Sequence, residues 1–248
     1  MMKPIHVLSI GNSFCQDPQR YLHDVARSEG VEMETVNLMI PGCPLSRHFR
    51  NLVGDRREYG LEVNGHKAEG FMTTLNEALS ARDWDYVTVQ QCSPQSYIEE
   101  SYYPYINEIV DYVRSACPKA KILVQQTWGY EDGSQRIHDQ GFETYDEMFA
   151  AIKPCYDKAA EAIGADGILP SGEAFKYALH HGVKKVHRDT FHASFGVGRF
   201  ILALVWYAYI TGNDISNVNF HDFDEEVSEE DYKIALEAAA YAVAQYKK

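Results

Sequence analysis

Short apolar runs alternate along the chain with longer stretches in which apolar residues recur every three or four positions. Each short run is rich in β-branched residues and ends in Gly, Pro or polar residues, a pattern typical of buried strands in a parallel sheet. The predicted strands are IHVLSI (5–10), METVNLMI (33–40), DYVTVQQ (85–91), AKILVQQTW (120–128) and DGILP (166–170). The longer stretches predict amphipathic helices at 18–30, 71–83, 104–117 and 145–164. Two further helices are expected, after His192 and from about Ser228.

This alternation predicts a single α/β domain, residues 1–248, in which helices cover a five-stranded parallel sheet. The segment at 57–69 interrupts the alternation, and its Asn64-Gly65 pair predicts a small β-hairpin insertion there. In doubly wound sheets, ligands bind beyond the carboxyl ends of the strands. Functional residues are therefore expected in the loops that follow the strands.

Composition and charge narrow the class of protein. Of the 248 residues, 36 are acidic and 23 are basic, for a formal net charge of -13. A negative field of this size repels nucleic acid and anionic membrane surfaces, so neither is expected as a partner. No apolar stretch reaches the roughly 18 residues of a membrane span, and the first residues lack a signal-peptide pattern, so the chain as given is expected to be cytoplasmic. The 5 cysteines lack CxxC spacing, so neither a disulfide framework nor a metal site is expected.

The loop GNSFCQD after the first predicted strand holds the first candidate for chemistry, Ser13. A polar residue at a helix start commonly caps the helix, and both Ser13 and Asp17 are candidates for that structural role. The same position also suits a nucleophile, because backbone N–H groups at a helix start stabilise developing negative charge. Cys15 is a weaker alternative nucleophile, since thiols near helix starts ionise more readily. The loop alone leaves these interpretations open.

Further candidates follow the other strands. Gly42, in PGC, has an N–H that can approach a ligand closely, and Gln90 or Gln91, in VQQCS, could donate an amide hydrogen bond. In RDTFHAS, Asp189 and His192 are spaced so that a turn brings both side chains to one side. A serine nucleophile needs a base that a carboxylate orients. This pair therefore completes a candidate triad with the serine of the first loop.

In order along the chain, LSIGNSF, PGC, VTVQQCS, TWGY and RDTFHAS resemble the sequence blocks of SGNH (GDSL-like) hydrolases, in particular a bacterial branch that opens with Gly-Asn-Ser-Phe. The resemblance implies a flavodoxin-like three-layer α/β/α sandwich and a serine esterase. The third block lacks the family's oxyanion asparagine, and Gln91, or else Gln90, is expected to replace it. The other implied roles are Ser13 as nucleophile and oxyanion donor, Gly42 as second donor, and Asp189 with His192 as the rest of the triad.

The expected substrate is a small-molecule or glycan ester, most simply an acetate ester on a carbohydrate. Many SGNH relatives deacetylate glycans, and no long apolar lid segment is visible in the sequence. The negative net charge favours a neutral glycan over a polyanionic one. Aromatic and amide side chains near the strand ends suit a sugar ring. The residues expected to contact it are Asn12, Trp128 and Tyr130, with Gln125 and Gln126 beside them.

This chemistry requires no metal and no organic cofactor. The alternative function is that of a flavodoxin-like module that binds phosphate or a flavin in the GNSFCQD loop, at the start of a helix. That alternative accounts for the first loop and the fold. It does not account for the pairing of Asp189 with His192.

Overall fold

A seven-stranded sheet lies at the centre of the molecule. In this computed structural model, which describes residues 3–247, the strands are β1 (Ile5–Gly11), β2 (Met33–Met39), β3 (Tyr59–Val63), β4 (His66–Thr73), β5 (Tyr86–Val89), β6 (Lys121–Gln125) and β7 (Gly167–Leu169). Their order across the sheet is β4-β3-β2-β1-β5-β6-β7. The neighbouring pairs β2-β1, β1-β5, β5-β6 and β6-β7 are parallel, whereas β3 and β4 add two antiparallel strands at the edge beside β2.

Helices flank this sheet in two groups. They are α1 (Ser13–Ser28), α2 (Leu45–Val53), α3 (Leu75–Ser80), α4 (Tyr105–Ala116), α5 (Gln135–His138), α6 (Tyr145–Ala162), α7 (Ser171–His180), α8 (Val197–Thr211) and α9 (Glu229–Tyr246). One group contains α1, α7, α8 and α9, and another contains α2, α3 and α4. The expected α/β/α fold class is confirmed.

The predicted strand count needs one correction, because the hairpin joins the sheet. The prediction placed a separate insertion at 57–69, whereas β3 pairs with the edge of β2 and β4 runs on to Thr73. Asn64 and Gly65 form the turn with φ of 52° and 77°, as a tight hairpin turn requires. The first residues of the helix predicted at 71–83 therefore belong to β4, and α3 begins only at Leu75.

Three helices were not predicted, namely α2, α5 and α7. Pro44 and Pro170 precede α2 and α7, and neither helix has a side-chain N-cap. The sequence therefore lacks the usual start signal at both points. The third, α5, is only 4 residues long, which is too short for a helical period to be visible.

The helix α8 explains the apolar run FILALVWYAYITG. All but a few of its residues are buried, because α1, α7 and α9 pack around it. A helix that is apolar on every side is typical of such an interior position. Within residues 3–247, no helix combines the length and the apolar character that crossing a bilayer requires.

Candidate active site

A cleft of about 500 Å³ lies at the carboxyl end of the parallel strands. Loops that follow β1, β2, β5 and β6 meet there, together with the loop between α7 and α8. The lining residues are Asn12, Ser13, Phe14, Gln16, Met39, Pro41, Gly42, Ser93, Pro94, Tyr130, Arg136, Gln140, Arg188, Phe191 and His192. Ser13, Gly42 and His192 come from distant segments of the chain and meet at the carboxyl end of the strands, where functional residues were expected.

Ser13, His192 and Asp189 form a continuous hydrogen-bonded chain in this cleft. The His192 Nε2 atom lies 2.8 Å from the Ser13 hydroxyl oxygen, and His192 Nδ1 lies 2.8 Å from Asp189 Oδ2. A carboxylate only accepts hydrogen bonds, so the ring proton belongs on Nδ1 and Nε2 is left to accept from the serine. The arrangement can therefore take a proton from the hydroxyl.

Asp189 is held as the charged partner of the imidazole. Partial burial raises its pKa, and the hydrogen bonds from the His192 side chain and backbone N–H lower it. The neighbouring charges of His192 and Arg188 act in the same direction, so the pKa of Asp189 lies below its usual range. The carboxylate consequently stays ionised at neutral pH and can stabilise an imidazolium.

The loop that carries this pair is a tight, closed turn. Thr190 has a φ of 76°, a backbone conformation that costs energy for a β-branched residue. Across the turn, the Arg188 N–H donates to the His192 carbonyl, and His187 forms a β-bridge with Ala193. These contacts keep Asp189 and His192 on the same side of the loop.

Asp17 anchors that loop to α1, and sequence reasoning missed this role. Its carboxylate is completely buried and accepts from the Ala193 N–H at 3.0 Å and from Arg188 at 2.8 Å. Arg199 of α8 supplies a third bond at 3.0 Å. A buried carboxylate is stable only when paired in this way. The one available signal was that Asp17 follows Ser13 by four positions, on the same helix face.

The residue that caps α1 is Asn12, so neither of the two candidates for that role, Ser13 and Asp17, caps the helix. The Asn12 side chain accepts from the Phe14 N–H at 2.9 Å. The same side chain accepts from Gln90 at 2.7 Å and donates to the Cys43 carbonyl at 3.2 Å. Asn12 therefore joins the loops after β1, β2 and β5. It borders the cleft, but its amide was expected to contact substrate and is instead engaged within the protein.

The backbone of the first two loops faces the cleft. Within residues 3–247, the N–H groups of Ser13 and Gly42 donate to no other group. Gly42 has a φ of 60°, which favours glycine there. Gly11 is needed for another reason, since a Cβ on it would lie 2.5 Å from the Cys15 sulfur. Gly11 thus allows the close packing at the start of α1, and Gly42 allows the left-handed turn of the second loop.

The structure does not bring Gln91 or Gln90 to the cleft, contrary to their expected role as oxyanion donors. Gln91 is fully buried, donates to Ser101 at 2.9 Å, and accepts from the Leu45 and Cys92 N–H groups. The Gln90 side chain donates a hydrogen bond to the Asn12 side chain. Both amides hold the strand-end loops together. The sequence prediction failed because it could not show that these polar groups already had partners in neighbouring loops.

The aromatic and amide residues expected at a sugar site need a similar correction. Trp128 is fully buried and stacks on Phe14, with ring centroids 4.3 Å apart. Gln125 and Gln126 are also fully buried, so none of these three lines the cleft. Tyr130 does border it. Phe14 and Phe191 are the aromatic lining residues that the prediction missed.

Cys15 is placed where a thiol cannot act as a nucleophile. Burial raises its pKa to about 12, and its S–H donates to the Gln90 side chain at 2.8 Å. A protonated, hydrogen-bonded thiol is unreactive. All 5 cysteines are buried and free. Among residues 3–247, no three metal-ligating side chains come together.

Tyr130 also borders a second cleft of about 590 Å³. This cleft lies between the start of α6 and the loop after α7, and two of its charged side chains, Lys185 and Glu131, pair with one another at 3.3 Å. It contains neither Ser13 nor His192. The smaller cleft therefore holds the only serine–histidine–aspartate chain found in the described part of the molecule.

Comparison with known proteins agrees with this fold. A DUF4886 family protein from Bacteroides uniformis ATCC 8492, solved by crystallography, is 31% identical and has a TM-score of 0.89, covering 98% of this chain and 95% of that one. A candidate SGNH hydrolase from Slackia heliotrinireducens matches with 20% identity and a TM-score of 0.62, over 84% of this chain and 100% of that one. A candidate GDSL-like lipase from Parabacteroides merdae ATCC 43184 matches with 13% identity and a TM-score of 0.52, over 84% and 95%.

The two latter proteins share the fold with this chain at low identity. No curated protein is significantly similar in sequence. The model of the DUF4886 family, described as a domain of unknown function, matches residues 6–242. This match spans nearly all of the sheet and the loops that carry Ser13 and His192, and the chain accordingly belongs to the DUF4886 family.

Proposed function

We propose that the protein is a serine ester hydrolase of the SGNH type. The observation that carries this proposal is the unbroken chain of hydrogen bonds from Asp189 through His192 to Ser13. The similarity in fold to candidate SGNH and GDSL-like proteins supports the same class. A module that only binds phosphate or flavin would not need a base aligned on the serine, and a bound flavin would colour the purified protein.

The reaction follows from the positions of the three side chains. His192 Nε2 takes the hydroxyl proton as Ser13 Oγ attacks the ester carbonyl, and the Asp189 carboxylate stabilises the imidazolium that forms. His192 then gives the proton to the leaving alcohol, and an acyl-serine remains. Water attacks this ester with His192 again as base, which releases the acid and restores the serine.

The oxyanion of the tetrahedral intermediate is stabilised by backbone donors in this proposal. The free N–H groups of Ser13 and Gly42 border the same cleft, and Ser13 is the first residue of α1, where the helix dipole is positive. Side-chain donors from Gln90 and Gln91 are not part of the proposal, because both amides are used elsewhere. Two backbone donors are the arrangement of many serine hydrolases.

The substrate is proposed to be a short-chain ester, acetate being the simplest, on a carbohydrate alcohol. A fatty chain needs a long apolar surface. The lining instead combines aromatic rings with amide, hydroxyl and guanidinium groups, and Met39 is its one long aliphatic side chain. These groups suit a polar, ring-shaped alcohol. Turnover of one alcohol esterified with acids of increasing length should fall steeply beyond about four carbons; equal or higher turnover of octanoate would refute the short-acyl proposal.

The hydrolase itself is tested at Ser13. The Ser13→Ala variant should hydrolyse 4-nitrophenyl acetate about 10⁴-fold more slowly than the wild type, and a fluorophosphonate should label Ser13 in the wild type only. Ser93→Ala is the matched control, since Ser93 lines the same cleft and should leave labelling intact. Labelling of another residue, or full activity in Ser13→Ala, would refute the proposed function.

A further inference from the structure

The cleft beside Ser13 is cationic in a protein that is strongly acidic. The chain has 36 acidic and 23 basic residues, yet the cleft is lined by two arginines and by no aspartate or glutamate. We propose that the alcohol part of the ester substrate carries a carboxylate about one ring away from the scissile bond, which Arg136, Gln140 and Arg188 bind. These three residues are called the anion subsite. The inference rests on the proposed function and names its substrate class.

Arg136 is the central residue of the anion subsite. Its guanidinium carbon lies 3.9 Å from the centre of the Phe191 ring, and that ring lies 3.8 Å from the His192 ring. The positive charge is thus one aromatic ring away from the base. Among the residues described, no carboxylate forms an ion pair with Arg136. The cation–π contact holds the guanidinium over the Phe191 ring, and its N–H groups stay available to a ligand.

Gln140 adds a neutral donor from the same segment of chain. Its side-chain oxygen accepts a hydrogen bond from the Tyr97 hydroxyl at 3.0 Å. In this orientation of the amide, its NH₂ end has no partner in the described residues. Gln140 follows Arg136 by four positions, and both line the cleft. An amide donor beside a guanidinium is well suited to a carboxylate.

Arg188 contributes a second positive charge from the loop that carries His192. One of its terminal nitrogens is bound to Asp17 and to the Ala193 carbonyl, while the residue still borders the cleft. Asp17 is shared with Arg199, and Arg199 also pairs with Asp224 at 2.9 Å. The second terminal nitrogen of Arg188 has no hydrogen-bond partner among the described residues, so it is available to a ligand in the cleft.

This local charge matters more for a bound substrate than the charge of the whole chain. Charges separated by more than about 8 Å are largely screened at physiological ionic strength. The net charge of -13 was the reason to expect a neutral glycan, but it is a sum over the whole chain, and no aspartate or glutamate lines the cleft. A carboxylate-bearing alcohol, such as an acetylated uronic acid, fits the cleft better than the neutral sugar expected from composition.

The test compares 4-acetoxybenzoate with 4-acetoxybenzamide, which differ only in a carboxylate and a neutral amide one ring from the ester. We expect Arg136→Gln to lower the ratio of kcat/KM for the acid to that for the amide by about tenfold, mainly through KM. Arg136→Lys should give an intermediate ratio, because the charge remains and the stacked fork is lost. The wild-type ratio should also fall as salt is added.

The matched control is Arg27→Gln, which removes one positive charge from the far end of α1, where Arg27 pairs with Asp24. It should leave the ratio unchanged. The same ratio in the wild type and in Arg136→Gln would overturn the anion subsite while leaving the ester hydrolase intact. Absence of Ser13-dependent hydrolysis of either ester would instead overturn the proposed function, and the inference with it.

Discussion

The Asp17 carboxylate accepts a hydrogen bond from the backbone N–H of Ala193, 3.0 Å away, although 176 positions separate the two residues. Ala193 directly follows His192, so this bond fixes the base relative to the helix that begins with Ser13. Asp17 is therefore a positioning residue in the proposed enzyme. Its side chain does not line the cleft, and it holds the loop that carries the base against the helix that carries the nucleophile.

Replacing this carboxylate should misplace the base. Asp17→Asn leaves Arg188 and Arg199 without their shared counter-charge, and we expect kcat for 4-nitrophenyl acetate to fall about 10- to 100-fold with little change in KM. Unfolding by urea should show a loss of about 3–5 kcal/mol. Asp224→Asn is the matched control, since Asp224 also pairs with Arg199 but makes no contact with the His192 loop. Equal losses of kcat in both variants would mean that Asp17 acts only through stability.

The acid limb of the pH profile should belong to His192. A protonated imidazole cannot accept the serine proton, so kcat/KM should fall as the pH is lowered. The pKa of Asp189 lies below its usual range, so its carboxylate stays charged across that limb. His192→Ala should cost about 10⁴-fold, as Ser13→Ala does, because the triad acts as a unit. A rate that is independent of pH down to about 5 would place the base elsewhere.

Asp189→Asn removes the negative charge beside His192 but keeps a side chain that can form a hydrogen bond to its ring. The amide can donate to Nδ1, which would leave the ring proton on Nε2, facing the serine. We therefore expect a loss of kcat of about 10²- to 10⁴-fold, measured with 4-nitrophenyl acetate. Partial recovery at high pH would support this account, whereas unchanged kcat would show that Asp189 does not orient the base.

Gln91 should prove structural. Gln91→Ala removes the acceptor for two backbone N–H groups and the donor to Ser101, so the free energy of unfolding should fall by roughly 3 kcal/mol. Below the unfolding temperature, kcat should change less than about threefold, since no oxyanion donor is lost. Gln135→Ala, at an exposed position, is the control for stability. A loss of about 10²-fold in kcat would restore Gln91 to the oxyanion hole.

Two buried histidines should make the protein sensitive to acid. Burial lowers the pKa of His187 to about 4 and that of His48 to about 3, while an unfolded chain binds these protons near pH 6.5. The unfolded state thus holds more protons below about pH 6.5, so stability falls as the pH decreases, by about 1.4 kcal/mol per pH unit for each histidine.

Urea unfolding of His187→Gln at several pH values between about 5 and 7 tests this dependence. Glutamine can still donate to the Gly129 carbonyl, which His187 contacts at 2.9 Å, but it takes up no proton. The slope of unfolding free energy against pH should therefore become shallower than in the wild type. His66→Gln, at an exposed position on β4, should keep the wild-type slope. Identical slopes in all three proteins would contradict the prediction.

The sequence could predict what depends on local pattern. Buried strands, amphipathic helices and the Asn64-Gly65 turn each have a short-range signature, and the order of strands places Ser13 and Gly42 at one edge. The partners of buried polar side chains have no such signature. Asn12, Gln90 and Gln91 each look available in the sequence, yet each is bonded to a loop that comes from a distant segment.

The same limit explains the residues that were missed. Asp17 resembles a surface cap until Arg188 and Arg199 approach it from positions 171 and 182 residues away. Arg136 lies in a helix of 4 residues. Only its contact with the Phe191 ring, which packs on His192, shows that it lies near the base. Net charge summed over the chain carries no information on position, so it could not show that two arginines line the cleft.

The order of strands in the sheet predicts which segments unfold locally and which unfold only with the whole domain. β1, which leads into Ser13, is the middle strand, with β2 and β5 bonded on either side. β4 is an edge strand, and most of its residues are exposed. Amide hydrogens in β4 should therefore exchange through local fraying, whereas those of Leu8 and Ile10 should exchange only when the whole domain opens. The segment that carries the nucleophile is thus among the last to be released, and a protein whose outer hairpin has detached should still hold its serine in place.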